Sequence, residues 1–272
     1  MDDAVNHPPV NGIPALGLGT WQNTDFGACV ASVRNALDVG FRHIDTAQYY
    51  ENEAAVGEGI STSPVSRESV FLASKLWFDD LAYDDVVQTA RESLDQLGVD
   101  SLDMLYVHWP AESYDPAETL AAFTDLKRDG LIDHIGVSNF TPELLREAQE
   151  CCDAPIKANQ VEMHPLLQQE ELRAYCDRHD ITLVAYSPLM RGEVGEVREV
   201  CDVAEKHETT PEQVTLAWLL EKNVVPIPKA TSRDHILSNW ESQFVELDDE
   251  DIAHIGGISQ ERRLGDPVFA PW

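Results

Sequence analysis

Four residues of this chain, Asp45, Tyr50, Lys75 and His108, could together carry out one piece of acid chemistry. A free phenol has a pKa of about 10 and is a poor proton donor at neutral pH. A lysine ammonium beside it stabilises the phenolate and lowers that value. An aspartate beside the lysine keeps the ammonium charged and oriented. A histidine can hydrogen-bond a substrate oxygen and turn it toward the tyrosine. Such a set is a tuned general acid poised against a carbonyl. Two of the four fall in "DTAQYYENE" (45–53), directly after the apolar run "GFRHI". A turn calls for small or polar residues, not for the adjacent tyrosines Tyr49 and Tyr50. Taken singly, each residue has a plainer use: Asp45 as a helix cap, Lys75 as a snorkelling strand end, His108 and Tyr50 as core. Their joint placement favours chemistry.

The elements around them must bring positions 45 to 108 together. Apolar, strand-like runs recur along the chain with amphipathic helical patterns between them. The runs are 13–20, 41–45, 69–77, 101–110, 132–140, 155–164, 181–189 and 224–230. The first helix is expected around 26–39, and two follow the seventh run, near 195–207 and 211–222. Alternation of this kind gives a parallel sheet, and eight units in this length favour closure into a (β/α)8 TIM barrel. The competing doubly wound sheet lacks its signature, since "GLGTWQ" has no third glycine and opens no helix. No long Pro/Gly/Ser linker divides the chain, so 1–272 reads as a single domain, with 259–272 as an aperiodic tail over one face. In such a barrel, catalytic groups project from strand C-terminal ends. Those ends carry Gly19-Thr20-Trp21, Asp45 with Tyr50, Lys75 with Trp77, His108 with Trp109, Ser138-Asn139, Gln160, Tyr186-Ser187 and Lys229.

Composition removes other classes of function. Asp and Glu number 49 against 19 Lys and Arg, a formal net charge of −30. That surface repels phosphate backbones, which excludes a nucleic-acid partner. The acidic residues are dispersed rather than gathered in a tail, and lysines number only six. A lysine-poor acidic surface suits molar salt, where the Debye length shrinks to about 3 Å, and points to a halophilic source. No window of about 18 apolar residues could span a membrane. The start, "MDDAVNHPPV", lacks a basic region and an apolar stretch, so a cytoplasmic protein is expected. The cysteines at 29, 151, 152, 176 and 201 form no CxxC pair and read as free thiols. No histidine spacing suggests a metal.

The motifs resemble the aldo-keto reductase family. "GLGTW" (17–21), "DTAQYYENE", "SKLW" (74–77), "VHWP" (107–110), "GVSNF" (136–140), "NQVEMHP" (159–165), "YSPL" (186–189) and "IPKA" (227–230) stand in the family's order. The tail "RRLGDP…APW" and the short "AESYDPAE" are similar to the prokaryotic diketogluconate-reductase-like branch. The resemblance implies NAD(P)H-dependent reduction of aldehydes and ketones without a Rossmann domain. It gives Tyr50 the proton donation, Lys75 the lowering of its pKa, Asp45 the holding of Lys75, and His108 the orientation of the carbonyl. For the cofactor it implies Gly19, Thr20, Trp21 and Asp45 at the first strand ends. Ser138, Asn139 and Gln160 would hold the carboxamide, Tyr186 stack on the nicotinamide, and Ser187, Leu189 and Gly192 contact the pyrophosphate. Lys229, Ala230, Thr231, Arg233, His235 and Asn239 match its adenosine end. Trp21, Tyr49, Trp77, His108 and Trp109 match the substrate pocket. One stretch departs: Ala230 replaces the expected serine, His235 the expected arginine and Ser238 the expected glutamate. Arginine usually grips the 2′-phosphate of NADP, so the preference for NADPH over NADH is weakened rather than lost, with Arg233 near enough to substitute.

Two other readings stay open at this stage. One is a non-catalytic nucleotide-binding barrel subunit, against which the intact tetrad argues. The other is a barrel hydrolase or aldolase using Lys75 as a Schiff-base nucleophile, which needs an uncharged lysine. The expected partner is a small carbonyl substrate, and the chain is expected as monomer or homodimer.

Overall fold

The computed structural model describes residues 7–272, in which strands and helices alternate. The strands are β1 (Leu18–Gly19), β2 (His43–Asp45), β3 (Phe71–Leu76), β4 (Leu102–Val107), β5 (Ile132–Ser138), β6 (Ile156–Glu162), β7 (Thr182–Tyr186) and β8 (Val225–Pro226). They form one curled eight-stranded sheet whose order is the order of the chain, and every neighbouring pair is parallel. Parallel neighbours require a crossover, and helices supply it. These are α1 (Phe26–Val39), α2 (Glu53–Ser61), α3 (Tyr83–Leu97), α4 (Pro116–Arg128), α5 (Pro142–Cys151) and α6 (Glu170–Arg178), then α7 (Arg198–Lys206), α8 (Pro211–Glu221), α9 (Arg233–Glu241) and α10 (Asp249–Gly256).

Local sequence explains where the helices begin. Asp25 caps α1 by accepting from Ala28 N, and Asp115, Thr141 and Thr210 cap α4, α5 and α8 just ahead of a first-turn proline. α10 was not anticipated from the sequence, although its capping box of Asp248 and Asp251 is a start signal. The expected helix near 195–207 is α7, preceded by 3-10 turns at Met190–Gly192 and Val194–Glu196.

The strand period of two divides side chains between an inner cluster and an outer, helix-facing core. Phe71, Ala73, Met104, Tyr106 and Ala158 belong to the inner cluster, while Leu72, Leu105 and Val107 join the helices' apolar faces. Counting by twos from Phe71 and Ala73 puts Lys75 on the inner face. The inner face therefore carries the chemistry.

The first and last strands are shorter than the runs 13–20 and 224–230 suggested. Pro226 and Pro228 have no N–H to give, which truncates the ladder. What joins these edges is a parallel bridge between Gly19 and Lys229, with Gly17 N donating to Pro226 O (3.0 Å) and Gly19 N to Pro228 O (3.1 Å). A Cβ on Gly19 would lie 2.7 Å from Ile227 O, so glycine is what lets the edges approach. The tail, 259–272, has neither helix nor strand. Residues 1–6, where a leader would be sought, lie outside the described residues. Among the described residues no helix is long and apolar enough to cross a membrane.

Candidate active site

Asp45 closes β2, Lys75 is the penultimate residue of β3, and His108 follows β4 directly. Tyr50 ends the 3-10 turn Gln48–Tyr50 that leaves β2. That loop is fixed from several sides. Thr20 donates twice to Asp45 O, from N and Oγ1, each at 3.0 Å. The Asn52 amide donates to Thr20 O (2.9 Å), and its oxygen accepts from Thr46 Oγ1 (2.7 Å). Gln48 accepts from Trp77 N (3.1 Å) and donates to Asp80 (2.7 Å). With the loop so held, Lys75 Nζ lies 2.5 Å from Asp45 Oδ1, 2.8 Å from Thr46 O and 5.1 Å from the centre of the Tyr50 ring. Gln160 Nε2 donates to the other Asp45 oxygen at 2.7 Å. The His108 ring stands edge-on to Tyr50, with centroids 5.7 Å apart.

Burial dominates the titration of this group. It pushes Lys75 below the usual lysine range, although the Asp45 carboxylate pulls it back up. Tyr50 is pushed well above its ordinary value, first by burial and then by the charges of Asp45 and Tyr186. Burial and the Asp45 charge thus outweigh, in the free site, the lowering expected from Lys75, whose Nζ lies 5.1 Å from the ring centre. The phenol holds its proton through the neutral range. His108 is held well below the usual imidazole range by burial and then by Lys75, so it is neutral. Its Nδ1 is buried without a hydrogen-bond partner among the described residues.

A cavity of about 800 Å³ opens above the phenol, within the size range of ligand sites, roughly 300–1,000 Å³. Its aromatic end holds Tyr49 stacked on Trp77 at 3.8 Å, with Trp109 and Phe269. Along its middle lie Ser138, Asn139, Gln160 and Tyr186, linked in one chain of hydrogen bonds. Ser138 Oγ donates to Gln160 O (2.7 Å), Asn139 Nδ2 to Ser138 Oγ (3.1 Å), and Tyr186 OH to Asn139 Oδ1 (3.0 Å). Asn139 is left-handed at φ 66°, a conformation asparagine tolerates better than most residues. Gly19, Thr20, Trp21 and Asp45 border this middle, and Ser187, Leu189, Gly192, Lys229, Ala230, His235 and Asn239 line the far end. Three sequence-chosen residues do not line it. Lys75 is buried beneath the floor, Thr231 lies outside, and Arg233 is turned to Asp38, with Nη1 at 2.7 Å from Oδ2.

Several lining residues were missed by the sequence reading. Arg191 sits over the Trp21 ring at 5.2 Å and donates to Leu264 O at 3.3 Å; it directly follows "YSPLM" and could have been noticed. Thr210, Glu212, Gly265, Pro267 and Phe269 gave no signal, since they sit on a helix start or the aperiodic tail. The donor set fits a dinucleotide: the Ser138–Asn139–Gln160 group offers both donors and acceptors to an amide, and Tyr186 offers a ring. Lys229 and the capped start of α9 suit an anionic end.

The model of the Aldo/keto reductase family matches residues 15–260. The chain is 39% identical to a glyoxal reductase of Bacillus subtilis, with 94% of this chain and 93% of that protein covered. It is 37% identical to the methylglyoxal reductase DkgB of Escherichia coli O157:H7, covering 94% and 96%. Among solved structures, an aldo-keto reductase of Bombyx mori in complex with NADP superposes with a TM-score of 0.87 at 32% identity, covering 93% and 92%.

Proposed function

Because the chain belongs to the aldo/keto reductase family, we propose that it reduces carbonyl groups through Asp45, Tyr50, Lys75 and His108. It is an NAD(P)H-dependent oxidoreductase that converts aldehydes and ketones to alcohols. The observation that carries the residue assignment is Lys75 Nζ, wedged between the Asp45 carboxylate and the Tyr50 ring under the cavity floor. Ser138, Asn139, Gln160 and Tyr186 would hold the nicotinamide cofactor, which when bound would supply hydride chemistry at the carbonyl carbon. Tyr50 gives its phenolic proton to the oxygen as that oxygen gains charge. Lys75 stabilises the phenolate left behind, and Asp45 with Gln160 keeps Lys75 in place. Neutral His108 orients the carbonyl oxygen. Trp21, Tyr49, Trp77 and Trp109 exclude water around the reacting carbon. Gly19, Thr20 and Trp21 would edge the nicotinamide ring, and Ser187, Leu189 and Gly192 would contact the pyrophosphate.

At the adenosine end we assign Lys229, Ala230, Thr231, Arg233, His235 and Asn239, and NADPH as the preferred cofactor over NADH. Lys229 is a fixed positive charge on the lining, and Arg233 needs only to leave Asp38 to add a second. The substrates we assign are small carbonyl compounds, dicarbonyls of the glyoxal kind included. We also infer a (β/α)8 barrel closed between β1 and β8, one domain over the chain, a monomer or homodimer, a cytoplasmic location and a surface adapted to high salt. A Schiff-base role for Lys75 is disfavoured because its Nζ does not line the cavity and already serves two acceptors.

The test is absorbance at 340 nm with a model aldehyde, comparing NADPH with NADH in low and molar KCl. Substrate-dependent oxidation that falls by at least about a hundredfold in Tyr50→Phe is expected. Undiminished turnover in Tyr50→Phe would overturn the assignment of the acid.

A further inference from the structure

The sequence motif "NQVEMHP" contributes Gln160 to the site but leaves Glu162 and His164 without a role. Both are wholly buried. Glu162 ends β6, paired with Tyr186 of β7, and its carboxylate points to the aperiodic tail. Its Oε1 accepts from Leu264 N at 2.7 Å and its Oε2 from Gly265 N at 2.6 Å, while His164 Nε2 lies 2.9 Å from Oε1. Two successive backbone amides of the tail thus close on one buried carboxylate. Hydrogen bonds to a charged acceptor are short and strong, and burial strengthens them further. The bonds from His164, Leu264 and Gly265 hold the acid below the usual carboxylate range against its burial.

We propose that Glu162 is a positioning residue that pins the tail at Leu264 and Gly265 and so sets the wall of the substrate end. This inference rests on the reductase reading above. Gly265 and Pro267 line the cavity, and Phe269 follows them. The Phe269 ring lies 4.6 Å from that of Phe78, 5.2 Å from Trp109 and 6.1 Å from Trp77. Behind it, Trp272 meets Trp109 at 5.6 Å. The tail has no ladder or helix to order it, so its place depends on a few anchors. The others are Arg262 N to Leu166 O (2.8 Å), the Arg262–Glu193 ion pair (2.7 Å) and the weak Arg191 bond to Leu264 O. Of these, the Glu162 bonds lie nearest the aromatic wall and deepest from water. Gly265 is suited to its post: a Cβ there would stand 3.0 Å from Glu162 Oε2 and 3.3 Å from Tyr186 OH.

The experiment compares wild-type protein with Glu162→Gln, which keeps the shape but puts a donor against a backbone N–H. Hydrogen exchange by mass spectrometry, without substrate, reads the tail peptide over 262–272. Steady-state kinetics read 4-nitrobenzaldehyde, which needs the aromatic wall, against methylglyoxal, which does not fill it. We expect tail exchange at least about tenfold faster with β2–β4 unchanged. KM for 4-nitrobenzaldehyde should rise about tenfold, with kcat and the methylglyoxal KM within about twofold. Unchanged tail exchange, an equal KM rise for both aldehydes, or a fall in kcat at constant KM would overturn the proposal. Should Glu162→Gln fail to fold, Glu162→Asp keeps the charge but withdraws the carboxylate from Leu264 N and Gly265 N, and the same outcomes decide. Wild-type protein without turnover, but with a tail loosened in the variant, would leave the clamp standing and sink the reductase reading instead.

Discussion

Lys75→Met keeps the length of a wholly buried side chain and removes only its ammonium. Asp45, 2% exposed, then keeps one side-chain donor, Gln160 Nε2 at 2.7 Å. Stranding one partner of a buried ion pair costs about 3–5 kcal/mol, because the remaining charge has lost both water and its counter-charge. For a chain of this length each kcal/mol moves the thermal midpoint by about 2 °C, so a fall of about 6–10 °C is expected. The second variant removes the stranded charge. Lys75→Met with Asp45→Asn should recover most of the loss, giving a coupling of at least about 2 kcal/mol in a double-mutant cycle. Denaturant unfolding followed by circular dichroism, at fixed pH and salt, measures all four proteins. Both variants should lack turnover, since the Tyr50 phenolate has lost its cation. A single variant within about 1 kcal/mol of wild type, or a double variant no more stable than the single, would refute the ion-pair argument. It would mean that Asp45 carries no charge needing Lys75.

Two further predictions follow from groups at opposite ends of the fold. His43 is wholly buried, and burial pushes it down to about 4 against the pull of the Asp45 carboxylate. Its unfolded value is 6.5, so between these pH values the unfolded chain binds more protons and stability falls as pH falls. The loss amounts to about 3 kcal/mol across that window, and His43→Leu should flatten this part of the pH–stability curve measured by urea unfolding. At the cofactor end, His235→Arg should lower KM for NADPH about tenfold while leaving NADH within about twofold, in low KCl. An equal gain for both cofactors would place position 235 away from the 2′-phosphate.

How much of this was legible beforehand differs from residue to residue. Lys75 could be placed because an apolar run with one lysine near its end leaves that lysine few positions, and the period of two put it on the inner face with Phe71 and Ala73. Asp45, Tyr50 and His108 were legible for the same reason: side-chain type and strand position both constrained them. The pKa of Tyr50 was not legible. It is set first by burial and then by the charges of Asp45 and Tyr186, and sequence spacing does not say how deep the phenol will sit. That Arg233 would stand off the cavity was not legible either, because Asp38 of α1 holds it and no local pattern links positions 38 and 233. The ends of β1 and β8 were overestimated because hydropathy counts proline as compatible with a strand, whereas a ladder counts N–H groups.

The tail is the limiting case. Residues 259–272 show no period, and periodicity is the primary signal by which a sequence announces how a segment will pack. Its anchors are distant in sequence, Glu162 foremost in our proposal: about a hundred residues upstream, it supplies both oxygens to Leu264 and Gly265. The identity of Gly265 then has a cause that no turn rule would give: its backbone comes within hydrogen-bond reach of the Glu162 carboxylate, where a Cβ would stand 3.0 Å from Oε2 and 3.3 Å from Tyr186 OH. A segment ordered by contacts of that range can change its sequence without disturbing the sheet and helices that hold it. The wall assigned to the substrate end is therefore completed by the part of the chain least determined by its own neighbours, and the proposed proton donor comes from the part most determined by them.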